Sequence, residues 1–413
     1  MNRIILIGNG FDLAHGMPTS YQSFMNYLWE KIVRKVQQER AESLFENDEI
    51  IVRVVPSAWL PGCNYQCLRQ SVIKIRDLVF KNKFLQIITD KTTIHNWVDI
   101  ENEYYYLLKK AYKESNSEIG ISQLNEEFNK IKNYLGEYLV LIENNFNIEF
   151  DDINLKHRIG SAIYSNFKLK DFAEESINTK VAVEYAKIAK DIIGLNDDNI
   201  DMQDLDTEKQ NLISYLGIDH KNKKLRKLLL SEASVEYFDL LPDDILFLNF
   251  NYTSTENLYK NANDFNVIRD VPSSSIHIHG SLREEDRNPI IFGFGDEIDE
   301  DYKAIENLND NEFLDNIKSI KYLETDNYKK LLEYLNSGSY QIFLFGHSCG
   351  ISDRTLLNTL FEHKNCVSIK PFYHVRNESD NYSDIVRNIS RNFNNKVIMR
   401  DKVVNKEYCQ PLF

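Results

Sequence analysis

The run Ile4–Ile7 is wholly apolar, stops after four residues at Gly8, and passes through "GNG" into "FDLAHGMPTS". A run this short is the length of a strand, too short for a membrane span, and a glycine at its end marks a tight turn. The pattern returns at Gln341–Phe345 before Gly346, and at Ile245–Leu248 before "NFNYTSTENLY". Helix-like sequence follows each of the three. Strand, turn and helix in repetition is the rhythm of a mainly parallel sheet, so the expected class is α/β with a Rossmann-like sheet. Further strands are expected at Ser275–His279, Cys366–Phe372 and Lys396–Met399.

Between about residues 20 and 240 the periodicity becomes helical, at Tyr21–Gln38, Tyr104–Lys113, Ile121–Ile142, Thr179–Ile193 and Lys221–Ser231. An insertion of that length is not a loop. The chain is therefore expected to be discontinuous, with residues 1–30 and 240–413 forming the sheet domain and 31–239 a large all-helical insertion lobe.

Charge narrows the ligand. With 49 basic and 63 acidic side chains the formal net charge is -14, so a small molecule is expected rather than nucleic acid. Five cysteines without paired spacing argue against a disulfide scaffold or a four-cysteine zinc site, and Cys63 and Cys67 read as ordinary thiols in a reducing cytoplasm. No signal segment and no apolar stretch of about 20 residues is present, so no membrane partner is expected. Asp197–Glu208 has calcium-loop spacing, but Met202 stands where the loop needs glycine, and the stretch reads as a solvated acidic loop. Lys221–Lys227 reads as a charged helix face, since no aromatic residues interleave with it.

Four stretches carry the candidate chemistry. Gly8 and Gly10 lack the Cβ atoms that would hold a phosphate or ribose off the backbone, although an unliganded turn would need glycine too. Asn249 and Asn251, two apart at a strand end, send both amides to one side, and Thr253 or Ser254 is expected to cap the helix that follows. His277 and His279 alternate with isoleucine and should share a strand face before Gly280. "FGHSCGISD" supplies Gly346, His347 and Ser348, then a helix capped by Ser352 or Asp353. Its GxSxG spacing fits a hydrolase nucleophile elbow, but no Asp and His follow Ser348 in suitable order. In "HNWVDIENEY", Asp99 and Glu101 precede a helix, where acids meet the positive end of the dipole. Alternatively Glu101 reaches the ligand crevice as a carboxylate for a ribose hydroxyl or an oxocarbenium-like centre.

Taken in order, "GNGFDLAHGMP", "NFNYT", "HGS" and "GHS" resemble the NAD-binding core of sirtuins. The opening stretch together with "NWVDIE" (Trp97, Asp99, Glu101) and "FGHSCGISD" resembles, more specifically, the AbiH family of bacterial abortive-infection proteins, with a sirtuin-like core and a helical insertion. The resemblance implies that Asn251 orients the attacking water or the ribose and that His279 is the general base. It implies that Gly8, Gly10, Pro18, Gly346 and Ser348 line NAD. Asn9, Phe11, His15, Thr19, Ser20, Asn249, His347 and Asp353 complete the expected cofactor-binding set, and Asp12 and Glu101 complete the catalytic one. The zinc-binding cysteine pairs of sirtuin deacylases are absent, and Thr253 replaces the Asp after the asparagine. Simple cleavage of NAD is therefore implied rather than deacylation.

The resulting expectation is an anti-phage effector that binds NAD, as substrate or ligand, or a related nucleotide, and breaks its N-glycosidic bond, with no metal. A phage-derived trigger and a homo-oligomer fit that role. Two alternatives stand beside it. One is metal-dependent phosphoester cleavage with Asp12, His15, Asp99, Glu101, His277 and His279 as manganese or zinc ligands; the other is a non-catalytic nucleotide sensor.

Overall fold

In chain order the main strands of the computed structural model are β1 (Asn2–Ile7), β2 (Leu44–Glu46), β3 (Ile50–Arg53), β4 (Leu78–Phe80), β5 (Ile245–Asn249), β6 (Ser273–His277), β7 (Tyr340–Phe345) and β8 (Cys366–Phe372). The structure describes all residues except 40–43, 55–63, 73–76, 96–98, 115–118, 197–198, 200, 218–221, 378 and 413. Five strands form an all-parallel sheet in the order β6-β5-β1-β7-β8. The chain winds outward from β1 through β5 to β6, then crosses back to β7 and β8 on the other side. The winding reverses between β1 and β7, and at such a point the carboxyl ends of parallel strands open a crevice. Register keeps those ends level: Ile7 lies opposite Asn249 and Phe345, and Asn249 opposite His277.

The central strands are apolar without alternation because both faces are covered. One face packs Ile4, Leu6, Leu248 and Leu344 against the helices Asn327–Ser337, Arg354–Glu362 and Tyr382–Asn392. The other packs Ile5, Ile7, Phe247 and Phe345 against the helix Ile153–Ile163. Each such side chain contributes about 2 kcal/mol by leaving water. Arg3 is the exception at the centre. Its guanidinium is fully buried, donates to the carbonyls of Ile163 and Ser165 at 2.7 Å each, and lies over the Phe343 ring, fixing the end of that helix to the sheet.

The inserted region is not all-helical. β2, β3 and β4 form a small antiparallel sheet, started by Asn47, whose side chain accepts from the backbone N–H groups of Glu49 and Ile50. This sheet packs with the helices Tyr21–Glu39, Lys83–His95, Ile100–Lys113 and Ile121–Glu149. Phe292, Phe294, Ile305 and Ile317, which follow β6 in the chain, join the same core. The helices Glu174–Asn196, Thr207–Leu216 and Asn222–Leu229 form another core that includes Val367 of β8. The inserted residues thus pack into several cores rather than one.

Other expectations also change. Lys396–Met399 is helical, part of Lys396–Lys402, because Asn395 accepts from the N–H groups of Val397 and Ile398 and starts a helix where a strand was expected. The strand expected at Ser275–His279 ends at His277, so the alternation does not carry His277 and His279 onto a shared strand face. Cys67 is disulfide-bonded and not a free thiol, while Cys63 lies outside the described residues; Cys349, Cys366 and Cys409 are free. In the acidic stretch, Asp197 and Asp198 lie outside the described residues, and Asp206 caps the helix that follows. Lys221 also lies outside them, and the described helix begins at Asn222. Among the described residues no helix is long and apolar enough to cross a membrane.

Candidate functional site at the carboxyl edge of the sheet

The two glycine turns are laced together. Gly8 N–H donates to the Phe345 carbonyl at 3.1 Å, and Gly10 N–H to the Gly346 carbonyl at 2.9 Å. A Cβ on Gly8 would lie 2.6 Å from His347 Cα, one on Gly10 2.8 Å from the Gly346 oxygen, and one on Gly346 2.0 Å from the Phe11 nitrogen. Gly346 also has φ +70°, a left-handed conformation that favours glycine. The close approach these glycines permit is therefore of one loop to the other, which is the structural reading of "GNG". The helix after Gly8 runs only from Asn9 to Ala14.

That short helix turns Asp12 inward, where it is 1 % exposed. Thr253 and Thr255 hydroxyls donate to its two oxygens at 2.6 and 2.8 Å, and the Asn251 side chain lies beside it. Burial outweighs these donors and pushes the carboxyl up to about 6. Thr253 and Ser254 do not cap the next turn through their side chains, since the Thr253 hydroxyl is engaged by Asp12. Asn249 builds the turn from behind. Its oxygen accepts from Asn251 N–H at 2.8 Å and its amide donates to the Thr253 carbonyl and the Glu256 carboxylate at 2.9 Å each.

A buried charge cluster faces Asp12 across the cavity. Lys318 is 1 % exposed, and its Nζ donates to Glu101 Oε1 at 2.9 Å and to Asp353 Oδ1 at 2.8 Å. Glu101 also accepts from Gly293 N–H at 3.1 Å. Burial raises the Glu101 carboxyl to about 7 against the pull of Lys318. Burial opposes the charge on Asp353, yet Lys318 and His279 hold the carboxyl well below its usual range. Asp353 therefore serves this cluster and does not cap its helix. His279 Nε2 lies 3.3 Å from Asp353 and 3.1 Å from the Tyr322 hydroxyl, and the ring also bonds the Phe250 backbone. Cys349 N–H donates to His347 Nδ1 at 3.0 Å, so Nε2 carries the proton and faces Asp353 at 3.7 Å. Burial lowers His347 to about 4 and lowers His279 as well, leaving both imidazoles neutral. Phe250 packs edge-on between the two rings.

These groups line one cavity of about 380 Å³. It brings together Gly8, Asn9, Gly10, Asp12, Thr19, Glu101, Asn251, His279, Gly346, His347, Ser348 and Asp353. Five expected residues do not line it. Phe11 stacks in the core against Phe345, and His15 is held by the Phe11 carbonyl and the Tyr259 hydroxyl. The Pro18 carbonyl accepts from Tyr138, Ser20 accepts from Ser23 N–H at the start of a helix, and Asn249 supports the turn described above. His277, half-buried, pairs with Glu256 at 3.0 Å, outside the cavity. Ser348 is exposed and the positive φ falls on Cys349, so the geometry is not that of a nucleophile elbow. A larger cavity, about 850 Å³, lies at the opposite edge near Met1, Asp243 and Cys366, where strands begin. The smaller one is the candidate functional site because it holds the perturbed acids at the switch of winding.

The family profile described as "Bacteriophage abortive infection AbiH" matches residues 4–375. The chain belongs to the AbiH family. The match takes in both glycine turns, the Asn251 turn, His279 and Asp353 of this AbiH protein. Neither the curated proteins nor the solved structures compared with the chain give a match.

Lys318, Tyr21, Tyr252 and Tyr322 of the AbiH protein escaped the sequence reading. No motif marks Lys318 in "NIKSIKY", and only its neighbour Phe294, paired backbone to backbone with it, reveals how it is carried to the cavity. Burial raises the three tyrosine hydroxyls far above their ordinary range, so they remain neutral donors. Trp97 lies outside the described residues. Asp99 accepts from Asn102 N–H at 3.0 Å as a helix cap and lines the cavity together with Glu101. Among the described residues no group of three or more His, Cys, Asp or Glu side chains is arranged to hold a metal ion. Of the six expected for a metal, His15 and His277 stand outside the cavity, and Glu101 is engaged by an ammonium.

Proposed function

We propose that this AbiH protein acts in abortive infection by binding NAD or a related N-ribosyl nucleotide at this cavity and hydrolysing its N-glycosidic bond. The strand order β6-β5-β1-β7-β8 is that of doubly wound nucleotide-binding sheets, which supports a Rossmann-like, sirtuin-like core. The observation that carries the reading is Asp12: a buried carboxyl raised to about 6, beside the Asn251 amide, at the carboxyl edge of the sheet.

Loss of the base leaves positive charge on the ribose, and a carboxylate already desolvated stabilises that charge strongly. Asp12 also takes a proton from the attacking water, its raised value lying close to neutral pH. The buried Nδ2 of Asn251 is directed at the Asp12 carboxylate without a hydrogen bond of ordinary geometry, a position from which it orients water or a ribose hydroxyl beside that carboxylate. His279 has both ring nitrogens engaged and serves to hold Asp353 and Tyr322. Activity restrained until a phage-derived trigger acts, and self-association, are part of this reading.

Nicotinamide release from NAD by protein purified from phage-challenged cells tests it. Asp12→Asn and Asn251→Ala should each lower kcat/KM by about 100-fold or more. Unchanged release in both variants contradicts the assignment. Thermal stabilisation by NAD without any nicotinamide favours a nucleotide sensor instead.

A further inference from the structure

The lining of the cavity bears on which part of a substrate it accepts. Among the described residues it holds four carboxylic side chains, Asp12, Asp99, Glu101 and Asp353, against one ammonium, Lys318, and no guanidinium. The ammonium is already engaged, at 2.9 Å by Glu101 and 2.8 Å by Asp353. Neither His279 nor His347 adds a positive charge, because burial keeps both neutral.

The backbone is no more welcoming to an anion. Gly8 N–H is taken by Phe345, Gly10 N–H by Gly346, and Phe11 N–H by the Gly8 carbonyl. The Cβ positions of Gly8, Gly10 and Gly346 are filled by the facing loop, so these glycines open no room for a phosphate against the backbone. The aromatic and aliphatic part of the lining consists of Phe250, Tyr21, Tyr252, Leu135 and Leu139, flat or apolar surface suited to a base.

We propose that the cavity admits the cationic base and ribose of an N-ribosyl pyridinium and leaves any phosphate outside this lining. The substrate class is then set by the N-ribosyl cation and not by the nucleotide phosphate. The inference rests on the reading of the site given above. In the step, the C1′–N bond breaks and its electron pair goes to the pyridinium nitrogen, giving neutral nicotinamide. Water oxygen bonds C1′, and the water proton passes to Asp12 and then to solvent. The cation is lost from the leaving base, so no acid is needed to protonate it.

The test compares nicotinamide riboside, nicotinamide mononucleotide and NAD as substrates for the full chain, and pairs turnover with thermal stabilisation by nicotinamide riboside and by inorganic pyrophosphate. The expected result is kcat/KM within about tenfold across the three compounds, with Tm raised by about 2 °C or more by saturating riboside and unmoved by pyrophosphate. NAD cleaved more than about 100-fold faster than the riboside, or stabilisation by pyrophosphate in place of the riboside, overturns the proposal. Absence of any riboside effect also overturns it. Stabilisation by the riboside with no cleavage of any compound keeps the inferred ligand class and removes the hydrolytic reading.

Discussion

Asp12 and Lys318 show how differently two buried charges can be managed. Asp12 keeps neutral donors, holds its proton up to about 6, and is available to a ligand; Lys318 is locked between two acids. If Asp12 is the base, kcat/KM should rise about tenfold per pH unit below 6 and level off above it, and Asp12→Asn should abolish that limb. Stability follows the opposite sign. The folded carboxyl titrates near 6 and the free one near 3.8, so between these values the folded chain binds more protons and its stability falls as pH rises. Asp12→Asn should flatten that slope in denaturant titrations run across the window. Lys318→Met should cost about 3–5 kcal/mol, because it leaves Asp353 and Glu101 facing one another without a cation. Glu101, raised to about 7 even with Lys318 pulling it down, rises further in the variant, and its protonation relieves that repulsion at low pH, so the fall in Tm should grow as the pH is raised from 5 and that proton is lost. Asp12 was legible in the sequence, being next to a glycine turn, whereas Lys318 was not, since its role comes from folding "NIKSIKY" against a helix some two hundred positions away.

Elements that bury both faces announced themselves best. β1, β5, β7 and β8 are mostly apolar runs, and the sequence reading located all four to within two residues. Lys396–Met399 has the same apolar look over too few residues to distinguish a strand from a helix, and the Asn395 cap decided it. The hairpin of β2 and β3 had a signal that was passed over, "END" between two β-rich runs, where Asn47 makes its turn. The glycine turns illustrate another gap: residue type alone could not say whether the missing Cβ made room for a ligand or for the neighbouring loop. Gly346→Ala tests the answer. With φ +70° and a Cβ 2.0 Å from the Phe11 nitrogen, it should lower Tm by about 5 °C or more. Gly338→Ala, whose Cβ would meet nothing within 4 Å, should leave Tm nearly unchanged in the same calorimetric scan.

At the scale of the whole molecule, the candidate site is made by joining distant segments. Asp12 comes from the first strand's turn, Glu101 from the inserted region, Asn251 and His279 from the middle of the chain and Asp353 from its last third, and all reach one cavity. The order of strands explains the convergence, since winding both ways from β1 sets four strand ends level. The convergence of the glycine turns could be anticipated from the sequence because the strand-turn-helix rhythm repeats. The contribution of residues after β6 to the core beneath the inserted helices could not, because Phe292 and Phe294 sit in a stretch with no periodicity. The central claim joins Asp12 to N-glycosidic cleavage during infection, and the metabolite pool reads it out directly. NAD and nicotinamide should be measured by mass spectrometry through a phage challenge in cells expressing the wild-type chain or Asp12→Asn. The account predicts that NAD collapses and nicotinamide accumulates only with the wild-type chain. Protection of the culture with NAD unchanged would contradict it.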